Sequence, residues 1–139
     1  MAKLLVVDDD EDVLSGLRVM LTDEGHTVRA LASGQEALDA IQSDLPELII
    51  TDLLMPGMTG LELLRAVRAR PACKEIPFII CSGNISLEIE GRLATLAAVS
   101  FLRKPLEILR LPQAVAEALA ARADTYKPDI GGKSSPCLR

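Results

Sequence analysis

Three carboxylates, a hydroxyl and an ammonium stand at the ends of short apolar runs spread over a hundred positions of this 139-residue chain. Asp8 and Asp9 follow Leu4-Leu5-Val6-Val7, and Asp52 follows Leu48-Ile49-Ile50-Thr51. Ser82 follows Phe78-Ile79-Ile80-Cys81, and Lys104 comes just after the run at 99–102. Continuous apolar runs of this length are what central strands of a parallel sheet require, because helices cover both faces. In an open parallel sheet the crevice beyond the carboxyl ends of the strands is where ligands bind. The five groups are therefore expected to share one pocket. Acids that repel one another call for a cation, and adding a hydroxyl and an amine suits phosphoryl chemistry.

The elements that must position these groups alternate along the chain. Strands are expected at 3–7, 27–31, 47–51, 77–81 and 99–102, the second being the weakest and an edge. Helices are expected at 11–24, 34–43, 61–70 and 87–97, with a last one ending near Ala123. In the first helix Val13, Leu14, Leu17, Met20 and Leu21 recur at helical spacing, and Gly25-His26 ends it. Ser33 and Glu36 form a capping-box signature, and Asp10 or Asp12 can cap the first helix. In the last helix Pro112 interrupts the face marked by Ile108, Leu111, Val115 and Leu119. Either the helix starts near Leu111 after an irregular turn or it is kinked; the first avoids most of the cost of proline. Five strands alternating with five helices give a doubly wound α/β domain over residues 1–123. Residues 124–139, rich in Pro, Gly and Ser, read as a flexible tail or linker stub.

Composition narrows the field. Apolar residues make up 49% of the chain, with two Phe, one Tyr and no Trp, so the core is aliphatic. No segment reaches the length of a membrane span and none has the order of a signal peptide, which points to the cytoplasm. Cys73, Cys81 and Cys137 form no CxxC pair, and Cys81 reads as a buried small hydrophobe. Residues 1–60 carry twelve acids against three bases and residues 61–139 eight acids against twelve bases, within a total of −5. Without a net basic domain, direct nucleic-acid binding is not expected. Gly132-Lys133-Ser134 lacks the earlier glycine and the strand of a phosphate-binding loop. His26 alone makes no metal site and is expected at the surface near a helix end.

The ordered set Asp8-Asp9, Asp52 with Met55-Pro56 and Gly60, Ser82, and Lys104-Pro105 preceded by Phe101 resembles the receiver domain of response regulators, the CheY-like phosphoacceptor of two-component signalling. The resemblance covers about residues 3–123. It implies a flavodoxin-like sheet of strand order 2-1-3-4-5. It further implies that Asp52 accepts a phosphoryl group from a sensor histidine kinase, a phosphotransfer protein or a small acyl phosphate. Mg²⁺ would be held by Asp9, Asp52 and the backbone carbonyl of Leu54, with Asp8 acting mostly through a coordinated water. Lys104 and Ser82 would contact the phosphoryl oxygens, and Ser82 and Phe101 would form the switch. That switch alters helix four, strand five and helix five for a downstream effector. The Lys104-Pro105 peptide is a cis candidate. Such a domain promotes only its own phosphorylation and dephosphorylation.

Other readings stay open at this level. The receiver fold could signal without phosphorylation, as a plain interaction module, and a small Mg²⁺-dependent phosphatase is disfavoured by the short loops. Asp10 either strengthens cation binding or faces solvent, and Gly83 makes its loop more mobile than a residue with a side chain would. Leu87, Ile89 and Leu93 are more apolar than a solvated helix four needs, which suggests a homodimer or an apolar partner groove. The kinase, the output, the phosphoryl lifetime, and whether the chain belongs to a longer regulator are not legible.

Overall fold

The computed structural model describes residues 2–83 and 86–125. Five strands, β1 (Lys3–Val7), β2 (Thr27–Leu31), β3 (Leu48–Asp52), β4 (Phe78–Ser82) and β5 (Val99–Arg103), form one parallel sheet in the order β2-β1-β3-β4-β5. Between and after them run α1 (Glu11–Asp23), α2 (Gly34–Ser43), α3 (Gly60–Arg68), α4 (Leu87–Ala94) and α5 (Leu111–Thr125). The doubly wound architecture read from the alternation, and the flavodoxin-like strand order that the resemblance implies, are therefore the observed ones. β1, β3 and β4 are buried almost throughout, whereas β2 and β5 at the two edges are only partly covered.

Strand periodicity divides the core into two layers. Leu5, Val7, Ile49, Phe78 and Ile80 face α2, α3 and α4 and meet Leu38, Ile41, Leu63, Val67 and Leu93. Leu4, Val6, Ile50, Ile79 and Leu102 face the opposite way and meet Leu14, Leu17 and Leu21 of α1 and Leu111 and Val115 of α5. Each such side chain contributes about 1.5–3 kcal/mol relative to an exposed one. The sum fixes the register of the sheet and hence of everything at its carboxyl edge.

Helix termini follow the sequence signals closely. Asp10, not Asp12, caps α1, its Oδ1 accepting from the backbone N–H of Asp12 (2.9 Å) and Val13 (3.3 Å). Ser33 Oγ accepts from Glu36 N–H (3.2 Å), while Glu36 reaches back to the N–H of Ala32 (3.4 Å). A full capping box, which the sequence reading passed over, joins Thr59 and Glu62 at α3. Gly25 sits at φ 95°, where an L side chain would be strained, and α1 ends there.

Several boundaries shift. The expected start of strand three at Glu47 and of strand four at Pro77 each move one residue on. Helix four stops at Ala94 rather than 97. Pro112 falls in the first turn of α5, and the irregular segment before it is a 3-10 turn at Leu106–Arg110. That is the arrangement that spares the helix a missing hydrogen bond. Leu93, expected among exposed apolar residues of helix four, is 1% exposed and belongs to the core; Ile89 packs against the same cluster. The expectation is corrected for Leu93 and Ile89, while the Leu87 side chain lies outside the described residues. His26 is partly buried at the amino end of β2, its Nδ1 accepting from Ala2 N–H (3.1 Å). It lies at the edge of the sheet opposite the acids. Cys73 and Cys81 are buried, and burial pushes the Cys81 thiol up to about 12. α5 runs two residues beyond the expected end at Ala123; the remaining tail, with Gly132-Lys133-Ser134 and Cys137, lies outside the described residues.

Candidate functional site

Register alone brings the acids together. Val7 pairs with Thr51, Asp52 with Cys81, and Ser82 with Arg103. Asp8, Asp52, Ser82 and Lys104 are therefore the last or next residues of four neighbouring strands at one edge of the sheet. Asp8, Asp9 and Asp52 each offer a carboxylate oxygen within 4.8 Å of the others. The three differ in exposure: Asp8 is buried, Asp52 half-buried, and Asp9 exposed.

Each carboxylate is held differently. Asp8 Oδ1 accepts from the N–H of Asp10 (2.9 Å), and Asp8 Oδ2 accepts from Lys104 Nζ (2.8 Å). Asp52 Oδ1 accepts from the N–H of Leu53 (2.9 Å) and lies 3.6 Å from Lys104 Nζ. Burial raises the Asp52 carboxyl above its ordinary range; Lys104 opposes the rise, and Asp8 and then Asp9 add to it. Burial works against the Lys104 ammonium, but the hydrogen bond to Asp8 and the attraction of Asp52 and Asp8 leave its pKa raised. Lys104 is thus a firm cation and Asp52 an acid whose ionised form is disfavoured.

The loop after Asp52 is shaped by Gly60. The Gly60 N–H donates to Leu53 O (2.7 Å), and a Cβ there would stand 2.3 Å from Asp52 O. No side chain fits against that carbonyl without displacing the strand end. Gly57, at φ 81°, turns the same loop after Met55-Pro56, and the Leu54 side chain faces solvent. Met55 is buried and anchors the loop to the core. Ser82 is 2% exposed, and its carbonyl accepts from Lys104 N–H (3.0 Å), fastening β4 to the residue that carries the amine. The Lys104-Pro105 peptide is cis.

Phe101 is partly buried against the α2–α4 side of the core. Two positions on, Arg103 lies on the same face of β5, its guanidinium 5.6 Å from the Phe101 ring centroid. The same guanidinium pairs with Glu90 of α4, and the Arg103 N–H donates to Glu107 Oε1 (2.6 Å). The sequence reading missed Arg103; the i, i+2 spacing from Phe101 was the available signal.

The donor set suits Mg²⁺. It offers carboxylate oxygens and no nitrogen or sulfur, and the exposure of Asp9 leaves room for the waters this ion retains. A cation also answers the repulsion from Asp8 and Asp9 that adds to the burial-driven rise at Asp52.

Residues 4–116 match the family model described as the response regulator receiver domain. The chain belongs to that family. As a receiver domain it is a phosphoacceptor of signalling, its chemistry confined to gaining and losing its own phosphoryl group, with an acidic cluster consistent with Mg²⁺ dependence. Receiver domains act between histidine kinases or phosphotransfer proteins and downstream effectors. The chain is 36% identical over 130 residues to the phosphate regulon transcriptional regulatory protein PhoB of Rhizobium meliloti, covering 92% of this receiver and 55% of PhoB. It therefore spans about half the length of that regulator. Among solved structures it is similar to the chemotaxis response regulator CheY4 of Vibrio cholerae. There the TM-score is 0.77 and identity 32%, over 85% of this chain and 98% of the other. A similar likeness holds to the signal receiver domain of a histidine kinase from Syntrophus aciditrophicus (TM-score 0.80, 26% identity, 94% and 99% coverage). Among the described residues, no helix of this receiver is long and apolar enough to cross a membrane.

Proposed function

We propose that Asp52 is the phosphoacceptor and that residues 1–123 are the signalling unit. The observation that carries this reading is the meeting of Asp8, Asp9, Asp52 and Lys104 at one sheet edge. A carboxylate oxygen of Asp52 attacks the phosphorus of a phosphohistidine or acyl phosphate. The new O–P bond forms as the bond to imidazole or acetate breaks, and the electron pair leaves with that group. Hydrolysis later returns Asp52 as the carboxylate and releases inorganic phosphate.

Asp9, Asp52 and the backbone carbonyl of Leu54 would hold Mg²⁺, with Asp8 engaging it mostly through water. When bound, the ion offsets negative charge on the transferring oxygens. Lys104, now leaning on Asp8 and 3.6 Å from Asp52 Oδ1, would turn to an oxygen of the phosphoryl group carried by Asp52. The Ser82 hydroxyl takes another oxygen as its loop moves inward. Phe101 then rotates towards the space Ser82 leaves, and the surface of α4, β5 and α5 changes. The donors are a histidine kinase or phosphotransfer protein and the recipient is an effector protein or domain. The setting is the cytoplasm, where such kinases present their phosphohistidine.

Incubation of the full chain with Mg²⁺ and acetyl phosphate should add one phosphoryl mass, and Asp52→Asn should abolish the gain. An intact protein that gains no mass, or an Asp52→Asn variant that gains it equally, overturns the assignment.

A further inference from the structure

A cleft of about 690 Å³ opens between α3 and α4, away from the acidic edge. Its apolar wall includes Leu61, Ile89 and Leu96, the last of which is 40% exposed. Among the described residues, four cations line it, Arg65, Arg68, Lys74 and Arg92, and the lining contains no Asp or Glu. In a chain of net charge −5 this concentration of positive charge is local and one-sided.

Arg68 supplies the least dispensable part. Its guanidinium lies 5.2 Å from the Phe78 ring centroid and donates to the carbonyls of Cys73 (3.4 Å), Ile76 (2.5 Å) and Ala97 (3.2 Å). Those contacts tie α3 to the segments before β4 and β5. They satisfy hydrogen bonds without cancelling charge, and burial pulls the Arg68 pKa down. Its field therefore adds to that of exposed Arg65, Lys74 and Arg92 around the rim.

We propose that the α3–α4 cleft docks an acidic amphipathic helical segment of a partner protein. Its apolar side chains would seat on Leu61, Ile89 and Leu96, and its carboxylates would meet Arg65, Lys74 and Arg92. The apolar wall favours protein side chains over a nucleic-acid backbone, and the recess between two helices excludes a flat lipid surface. The volume exceeds what a small anion fills. The inference does not rest on the phosphoacceptor assignment, since none of these residues belongs to the acidic edge.

The test uses the full chain, isotope-labelled, and a helical probe peptide with leucines at i, i+4 and i+7 and glutamates between them. The expected result is amide shift changes centred on Arg65, Arg92 and Leu96, with affinity falling steeply as salt is added. Arg65→Glu with Arg92→Glu should weaken binding by at least about tenfold while keeping the acetyl-phosphate mass gain. Should that pair fold poorly, Arg65→Gln with Arg92→Gln carries the same expectation with a smaller loss. Four results overturn the proposal: no shifts at millimolar peptide, shifts centred elsewhere, equal binding of a lysine-for-glutamate peptide, or the same shifts on raising protein concentration alone. The last would make a second copy of this chain the occupant.

Discussion

Lys104 Nζ stands 2.8 Å from Asp8 Oδ2 but 3.6 Å from Asp52 Oδ1, so the amine is committed to the buried acid and only inclined to the half-buried one. Removing it leaves Asp8, 2% exposed, with a single backbone N–H as its described partner. Lys104→Gln should cost about 1–3 kcal/mol of stability, the usual penalty for a buried group losing its partner. Asp8→Asn placed on top should recover part of that loss. A denaturant series on the two single variants and the double variant measures the coupling; additive losses would mean the pair contributes nothing.

Asp52 lies above its ordinary carboxyl value of 3.8 chiefly because it is partly buried. The folded state then holds a proton that the unfolded chain releases, so ionising Asp52 costs stability as pH rises from below 3.8 through its raised value. Above the raised value the whole cost is present. Asp52→Asn should therefore melt at a higher temperature than the wild type in chelator at pH 7, with the advantage shrinking as pH falls through the raised value and gone below 3.8. Melting curves across pH check this, and an equal or lower melting temperature at pH 7 contradicts it.

Magnesium should stabilise the wild type, by about 2.7 kcal/mol at a concentration a hundred times its dissociation constant. Asp9→Asn should weaken that effect while scarcely altering the metal-free protein, because Asp9 is exposed. Thermal melts with increasing Mg²⁺ give the affinity of each; an unchanged affinity in Asp9→Asn would remove Asp9 from the ion.

Two glycines at the site make opposite predictions. A Cβ on Gly60 would strike Asp52 O at 2.3 Å, both atoms being backbone-bound, so Gly60→Ala should destabilise by about 1–3 kcal/mol or more. A Cβ on Gly83 would meet Lys104 at 3.7 Å, ordinary contact. Gly83→Ala should stabilise by about 0.4–1 kcal/mol through the unfolded chain. Equilibrium unfolding of both decides, and a destabilised Gly83→Ala would show that the loop needs glycine for another reason.

The chain contains no Trp, so Phe101→Trp would be its sole indole. If the ring turns inward on phosphorylation, Mg²⁺ with acetyl phosphate should shift its emission, and Asp52→Asn should remove the shift. Arg103→Ala, which frees both the ring face and Glu90, should alter the unphosphorylated spectrum. Spectra indifferent to phosphorylation would leave Phe101 a static core residue.

What was legible in the sequence was what a periodic pattern or a one-sided chemical need writes locally. The runs ending in Asp8, Asp52 and Ser82 gave strands and their common edge, because only a parallel sheet covered on both faces accommodates them. Pro112 was placed by the missing N–H that confines it to a first turn. Pairings between distant side chains were not legible. Nothing in one dimension distinguishes Asp8 as the partner of Lys104 from Asp8 as a ligand through water, since both uses need an acid after the first strand. The helical pattern that contains Leu93 cannot say which side of α4 meets the sheet. The Arg103–Glu90 pair depends on the distance between β5 and α4, a tertiary quantity.

The sheet order has a mechanical corollary. β1 and β3, which present the acids, are hydrogen-bonded to neighbours on both flanks, whereas β5, which leads into Lys104, is gripped on one side alone. The negative half of the site is thus mounted on the stiff interior and the positive half on the rim. When charge at Asp52 changes, the compliant member is the strand nearest the outer surface, where another molecule can feel it move.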